Sequence, residues 1–369
     1  VSAAAVFAFG DLAIRVESAD LAHLVWLAEF LGPHFETRAD GEYACRVCLI
    51  EDQEVYDAAL SAGPAAGSLD AFALDGGVVS LPRWRGAETR LHDAQRNAFY
   101  DVSGSPRTIT ILSVPGNLKG RTALMRVVRE LATNHAQRAG GLLLHASGFA
   151  AGGRGVLVAG PKEAGKTTLL IHALHAPAVE YVSNDRILVP AGAAMSALGV
   201  PTIVKLRSGT LGLFPRLAQR LAASGFYQRL TIEEAGLRTT LATGRQSDAP
   251  RLSPAQLCRL LDVRARAECE IAAVVFPRVT GDPGVFALRR LSAEEVAARL
   301  EDAFFGVRPA RWTSDVFTLE DGPPPPDRDV LNARGRALAG CVPGFECRLG
   351  LSAYESARAA GDLVAALVR

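Results

Sequence analysis

Residues 160–168 read Gly-Pro-Lys-Glu-Ala-Gly-Lys-Thr-Thr, and no other stretch constrains the chain as tightly. They fit G-x-x-x-x-G-K-[ST] at every fixed position. The pattern works as a turn between a buried strand and the first turn of a helix, and both neighbours are present. Gly155-Val156-Leu157-Val158-Ala159 is a short apolar run of strand type, and Leu169-Leu170-Ile171-His172-Ala173-Leu174 continues as a helix. The 369 residues contain four lysines, so chance matches are expected on the order of 0.01 times.

Each residue type has a chemical reason. Gly160 and Gly165 let successive backbone N–H groups, with the positive end of the following helix, converge on phosphate oxygens. Lys166 adds a point charge for the β and γ phosphates, and Thr167 places a hydroxyl where it can ligate Mg²⁺. The expected cofactor site is therefore Gly160, Pro161, Lys162, Glu163, Ala164, Gly165, Lys166, Thr167 and Thr168, holding ATP or GTP with Mg²⁺.

A chain of this length predicts two domains. Its formal charge of +1 carries no nucleic-acid or membrane footprint, and neither partner is expected. No apolar run is long enough to span a bilayer, Val1–Leu12 lacks the pattern of a secretory signal, and the six cysteines are scattered. The expected compartment is the cytoplasm. Cys45-x-x-Cys48 could be half a zinc site or a redox pair, but three residues apart on a strand they face opposite sides. His172 and His175, without a third ligand, read as packing or surface residues.

The first third reads as a small α+β domain over residues 1–118. Val6–Val16 suggests a strand, Asp20–Leu31 an amphipathic helix, and Phe35–Ile50 a strand pair turning at Asp40-Gly41. Strands follow at Ala71–Leu81 around Asp75-Gly76-Gly77, at Ala98–Val102 and at Thr108–Ser113. Trp84, Arg85 and Arg90 read as an exposed loop with a packed Trp. The second domain, 119–369, opens with a helix over Arg121–Arg138 stopped by Gly140-Gly141. One strand over Leu142–Ala150 and a turn at Gly152-Gly153-Arg154 lead into the phosphate-loop strand. Pro323–Pro326 reads as a linker before a final helix, strand and helix.

The order LLLHAS, hairpin, VLVAGPKEAGKTT and YVSNDRILV, with VVFPR at 274–278, resembles the HPr kinase/phosphorylase superfamily, in particular HPr kinase-like relatives encoded beside biosynthetic enzymes. The resemblance covers about residues 120–300. It implies an α/β P-loop kinase core, a mixed central sheet with flanking helices, behind the small α+β domain. It also implies that His145, before the loop, belongs to the active site, and that Asn184-Asp185 matches an acidic pair supplying a base and a metal-proximal carboxylate. The first acid of that pair is Asn184 here: either the base is lost or Asp185 takes over its duties. The family's Gly- and Arg-rich signature beyond the loop is not found, so neither phosphorylation of HPr nor phosphorolysis is expected.

The expected activity is an ATP- and Mg²⁺-dependent kinase acting on a hydroxyl, Ser or Thr of a peptide or small protein. A small-molecule hydroxyl kinase and a non-catalytic nucleotide-binding scaffold are the alternatives, and a homo-oligomer is left open. Asp185, His145 and Lys166 are the expected catalytic residues, and Thr167 and Asp185 the metal-proximal ones. Asp185 ends the apolar run Val179–Ser183, so a strand parallel to the phosphate-loop strand would deliver it beside the loop. Lys205 and Arg207 are expected phosphate or substrate contacts, with Arg186 and Arg278 as further candidates.

Overall fold

Leu12, Ile14 and Val16 are buried and alternate with half-buried Ala13, Arg15 and Glu17, the pattern of a strand with one face on a core. This is β2 (Leu12–Ser18), which pairs antiparallel with β1 (Ala3–Phe9). The computed structural model describes residues 3–72, 78–104, 106–192, 195–225, 249–280, 286–305, 316–319, 326–350 and 354–368. The chain is mixed α/β; its described residues form two nine-stranded sheets, a two-stranded one and flanking helices. It divides into two units, residues 1–141 with 305–327 and residues 142–304 with 328–369. Among the described residues no helix is long and apolar enough to cross a membrane.

The first unit continues through α1 (Leu21–Leu31), β3 (Glu36–Arg38), β4 (Cys45–Glu51), α2 (Gln53–Ser61), β5 (Pro64–Phe72), β6 (Val78–Trp84), β7 (Thr89–Asp93), β8 (Ala98–Ser103), β9 (Thr108–Ser113) and α3 (Leu118–Arg138). Asp20 caps α1, its carboxylate accepting from the amide of Ala22 at 2.8 Å. The sheet order is β3-β1-β2-β4-β9-β8-β7-β6-β5. Helices α1 and α3 pack on one face, and α2 sits against β8 and β9 through Tyr56, Ala59 and Phe99. Trp84 is packed as expected, on His92 and Phe99, but it ends β6 and Arg90 lies in β7 instead of an exposed loop; Arg90 faces Asp101 across β7–β8 and forms a two-pronged pair with it at 2.7 and 2.6 Å.

Three local expectations change. The single strand over Val6–Val16 is a hairpin, because Gly10-Asp11 supplies a two-residue turn between Phe9 and Leu12. The strand pair around Asp40-Gly41 is not a hairpin: β3 pairs with β1, and β4 runs parallel to β2. Exposed Glu36-Thr37-Arg38 has no apolar row to set against the buried Cys45, Val47 and Leu49, so it takes the sheet edge. Helix α3 belongs to the first unit rather than opening the second, since its apolar face covers β2, β4 and β9. The division therefore falls after Gly141 instead of residue 118. Helix α2 and strand β7 have no counterpart in the sequence reading. The turn Asp75-Gly76-Gly77 and Pro323–Pro325 of the proline run lie outside the described residues.

The second unit contains β10 (Leu142–Leu144), β11 (Ala146–Ala151), β12 (Arg154–Ala159), α4 (Lys166–Ala173), β13 (Val179–Ser183), β14 (Arg186–Val189), β15 (Ser196–Val200), β16 (Val204–Lys205), α5 (Ser208–Leu213), α6 (Pro215–Ser224), β17 (Arg251–Leu252), α7 (Pro254–Leu261), β18 (Glu268–Val279), β19 (Phe286–Leu291), α8 (Ala293–Glu301), α9 (Arg328–Cys341), β20 (Gly344–Leu349) and α10 (Ala357–Leu367). The expected strand over Leu142–Ala150 is split at His145. Its halves pair with a second split strand: Leu144 faces Ile187 across β10–β14, and Gly148 faces Ser183 across β11–β13, in the same register until a shift of one residue between Gly148 and Phe149. The strand order β10-β14-β15-β18-β12-β11-β13 sets the two halves of this ribbon at opposite ends, so the sheet curls back on itself.

Strand β12 pairs antiparallel with β11 through the expected Gly152-Gly153 turn and parallel with β18 on its other side. The latter contact is close: a Cβ added at Gly155 would lie 2.2 Å from Cys269 Sγ. Gly155→Ala is expected to destabilise the chain by about 1–3 kcal/mol, read as a lower urea midpoint. Cys269→Ala in the same chain should recover part of that loss. An unchanged midpoint for Gly155→Ala would contradict the packing.

Candidate functional site

The phosphate loop lies where the sequence places it, between β12 and α4. Gly165 has φ +103, and an added Cβ would meet Val279 Cγ2 at 2.7 Å, so both conformation and space require glycine there. Helix α4 has no side-chain cap, which leaves its first-turn N–H groups for an anion. Glu163 is also left-handed, at φ +71, and its carboxylate accepts from Arg207 Nη1 at 2.6 Å. Arg207 is thereby brought to the loop. Lys205 is exposed on β16 opposite Arg251.

Lys166 is buried, and its ammonium donates to the carbonyls of Gly160 at 2.7 Å and Pro161 at 3.0 Å. Burial pushes its pKa down to about 8, with Asp185 opposing the shift and Arg207 adding to it. Thr167 is half-buried beside it, Thr168 is buried, and Lys162 is exposed.

Strand β13 does not border β12. Both pair antiparallel with β11, so they run in the same direction and end at the same sheet edge. Asn184 and Asp185 follow at that edge, opposite the break at His145. The His145 Nε2 lies 3.1 Å from Asp185 Oδ1. An ionised carboxylate only accepts, so the imidazole carries its proton on Nε2. Burial alone would raise the pKa of Asp185. The hydrogen bond and charge of His145, with Arg186 and Lys166, outweigh it and hold the carboxyl down to about 2. Protein surrounds the group densely, yet 42% of its side-chain surface stays open to solvent. Arg186 Nε is 4.0 Å from Oδ2.

Asn184 is a buried junction. Its Oδ1 accepts from the hydroxyls of Tyr181 at 2.7 Å and Thr202 at 3.1 Å, and its Nδ2 donates to Ile203 O at 3.4 Å. Its main-chain carbonyl accepts from Ser147 Oγ at 2.6 Å. An acid here would keep both hydroxyl donors but turn an oxygen toward the Ile203 carbonyl, which gives the amide a structural reason. Ser147, Tyr181 and Thr202 carry no sequence signal of this role, because their partner is brought to them only by the fold.

Among the described residues no group of three His, Cys, Asp or Glu side chains could hold a metal. Mg²⁺ asks less, since it keeps waters and takes phosphate oxygens. The Thr167 hydroxyl at the head of α4 and the open, ionised Asp185 carboxylate suit that demand. Other candidates lie elsewhere. His172 Nδ1 bonds Tyr354 O at 2.7 Å and His175 stacks on Phe214, so both serve packing. Arg278 is exposed at the end of β18. Cys45 lies in the core and Cys48 on the other face of β4, their thiols pushed by burial up to about 12 and about 11. The chain matches no protein-family model, and no curated protein shows significant similarity to it.

Asn184→Leu is expected to cost about 2–4 kcal/mol, because the Tyr181 and Thr202 hydroxyls lose their acceptor in a buried place. Asn184→Asp should cost less. Urea midpoints check both, and equal losses would contradict the junction described.

Proposed function

We propose that the second unit is a P-loop phosphotransferase of the HPr kinase type, moving the γ-phosphoryl group of ATP or GTP to a hydroxyl. The observation that carries this reading is the position of Asp185. Its carboxylate is bonded to His145 and lies within electrostatic reach of Lys166 in the phosphate loop. A loop that holds phosphates needs an oriented acceptor to become a kinase, and this group supplies the orientation.

In the reaction the acceptor oxygen bonds the γ phosphorus, the bond from that phosphorus to the bridging oxygen breaks, and the nucleoside diphosphate leaves. Lys166 exchanges its loop carbonyls for β and γ phosphate oxygens. Arg207, held at the loop by Glu163, is in place to add a second cation. Mg²⁺ on Thr167 and Asp185 would neutralise charge on the phosphates. With a pKa of about 2, Asp185 holds no proton at neutral pH and is a weak base. Its work is to fix the acceptor O–H and take the proton late, as the new bond forms, while the His145 N–H steadies the charge.

The substrate class, Ser or Thr of a peptide or small protein, rests on the resemblance alone. The cytoplasm is the proposed compartment, supported by six cysteines without a disulfide. We assign the first unit to acceptor recognition or assembly.

Asp185→Asn is expected to lower turnover about a hundredfold with little change in nucleotide affinity, measured by single-turnover phosphate transfer and by calorimetry. Near-normal turnover would move the base role to His145. Tight nucleotide binding by the parent protein, with no transfer to any hydroxyl, would replace the kinase by a nucleotide-binding scaffold.

Nucleotide binding should also take up protons. Phosphate contact raises the pKa of Lys166 from about 8, so uptake is expected at pH 8 and affinity should fall as pH rises further. Calorimetry in buffers of different ionisation enthalpy reads this directly. Binding at pH 8 without proton uptake would remove Lys166 from the phosphate contact.

A further inference from the structure

At the end of α4 remote from the phosphate loop, the turn after that helix, α6 and the end of α7 surround a cavity of about 650 Å³. This volume is in the range of small-molecule sites. Leu174, Val179, Leu217 and Leu260 give it buried apolar walls. Arg216, Arg220 and Arg264 add three guanidinium groups.

The acids nearby do not balance them. Glu180 is paired with Arg266, which is not in the lining. Glu355 is engaged by the head of α6, its Oε1 accepting from the amides of Arg216 at 2.8 Å and Leu217 at 3.1 Å, and its Oε2 lies 4.0 Å from Arg216 Nε, a long ion pair at a side chain that stays 81% exposed. Arg220 is fixed by donation to Leu260 O at 2.8 Å. With Glu355 set against Arg216, Asp262 is the remaining acid of the wall, against Arg220 and Arg264.

The backbone points to the same place. Among the described residues four that are not glycine have positive φ; one is Glu163 in the phosphate loop, and Ala178 and Asp262, both at +58, line this cavity. Asp262 ends α7, where aspartate tolerates that conformation. Ala178 has no side chain that favours it, and such strain collects at binding sites.

We infer that this cavity binds a small amphiphilic anion, a carboxylate, sulfonate or phosphate group on an aliphatic or aromatic body. The anionic group would meet Arg216 and Arg264 while the body covers Leu217 and its neighbours. The inference does not depend on the phosphotransferase reading, because no residue of the phosphate loop lines the cavity.

The test is fluorescence titration of the full chain with 8-anilinonaphthalene-1-sulfonate. One saturable site is expected, displaced by decanoate, not by decylamine, and retained in the presence of MgATP. The double variant Arg216→Glu/Arg264→Glu should weaken binding at least tenfold with an unchanged thermal midpoint. Leu261→Trp, which fills the cavity from α7, should abolish it. If that variant fails to fold, the double arginine variant alone decides. Absence of saturable binding, parent-like affinity in the double variant, equal competition by decylamine, or displacement by MgATP would overturn the inference.

Discussion

A β-ladder can be interrupted inside a protein only if the freed backbone groups find other partners. The ribbon of the second unit is interrupted where His145 faces Asn184 and Asp185, and the partners are specific. The amide of His145 donates to Ala303 O at 2.7 Å, outside the ribbon. Ser147 Oγ takes the carbonyl of Asn184, and the amide of Arg186 donates to Ser183 Oγ at 3.4 Å. These substitutions allow an imidazole and a carboxylate to meet at a sheet edge instead of pairing their backbones across it. The arrangement of Lys166, Asp185 and His145 follows from that break.

The two units treat buried charge differently. In the first, Arg96 and the hydroxyl of Tyr100 both donate to Asp93 Oδ2, and Arg126 donates to Glu130 at 2.7 Å, each at most 3% exposed. These charges face one another inside the core, although among the described residues Arg96 Nε, Arg126 Nη2 and Glu130 Oε2 make no hydrogen bond, and they leave little charge to offer a ligand. In the second, Lys166 is buried against carbonyls, and its opposite charge, Asp185, stays open to solvent. A cation buried against dipoles is costly, and its depressed pKa records that cost. A polyanion placed against the ammonium would relieve it.

Much of this was legible in residues that act locally. The turn between β12 and α4 follows from its own nine residues, the helix after Asp20 follows from its apolar spacing, and the Gly152-Gly153 turn joins the strands expected on either side. What depends on distant partners was not legible. Nothing in Val6–Val16 says which side of Gly10 carries which strand, and nothing in Asp40-Gly41 says that β4 has β2 and β9 as neighbours. The role of Asn184 depends on Thr202 and Ser147, which only the fold delivers. Sequence alone does not separate Arg207 from Lys205; the ion pair of Arg207 with Glu163 does. The boundary after Gly141 was hidden because the apolar face of α3 fits either neighbour until the sheet it covers is known.

The chain returns to its first unit at residues 305–327 after most of the second has been laid down. Phe317 packs on Tyr100, and its carbonyl accepts from Asn134 at 2.8 Å, so the first core lacks these pieces until they emerge. The second unit in turn awaits β20, which pairs with β18. During synthesis the first core therefore receives Phe317 only after β19 and α8 of the second unit have been made, and the second sheet receives β20 later still. The order of synthesis works against completing the first unit before the second is begun.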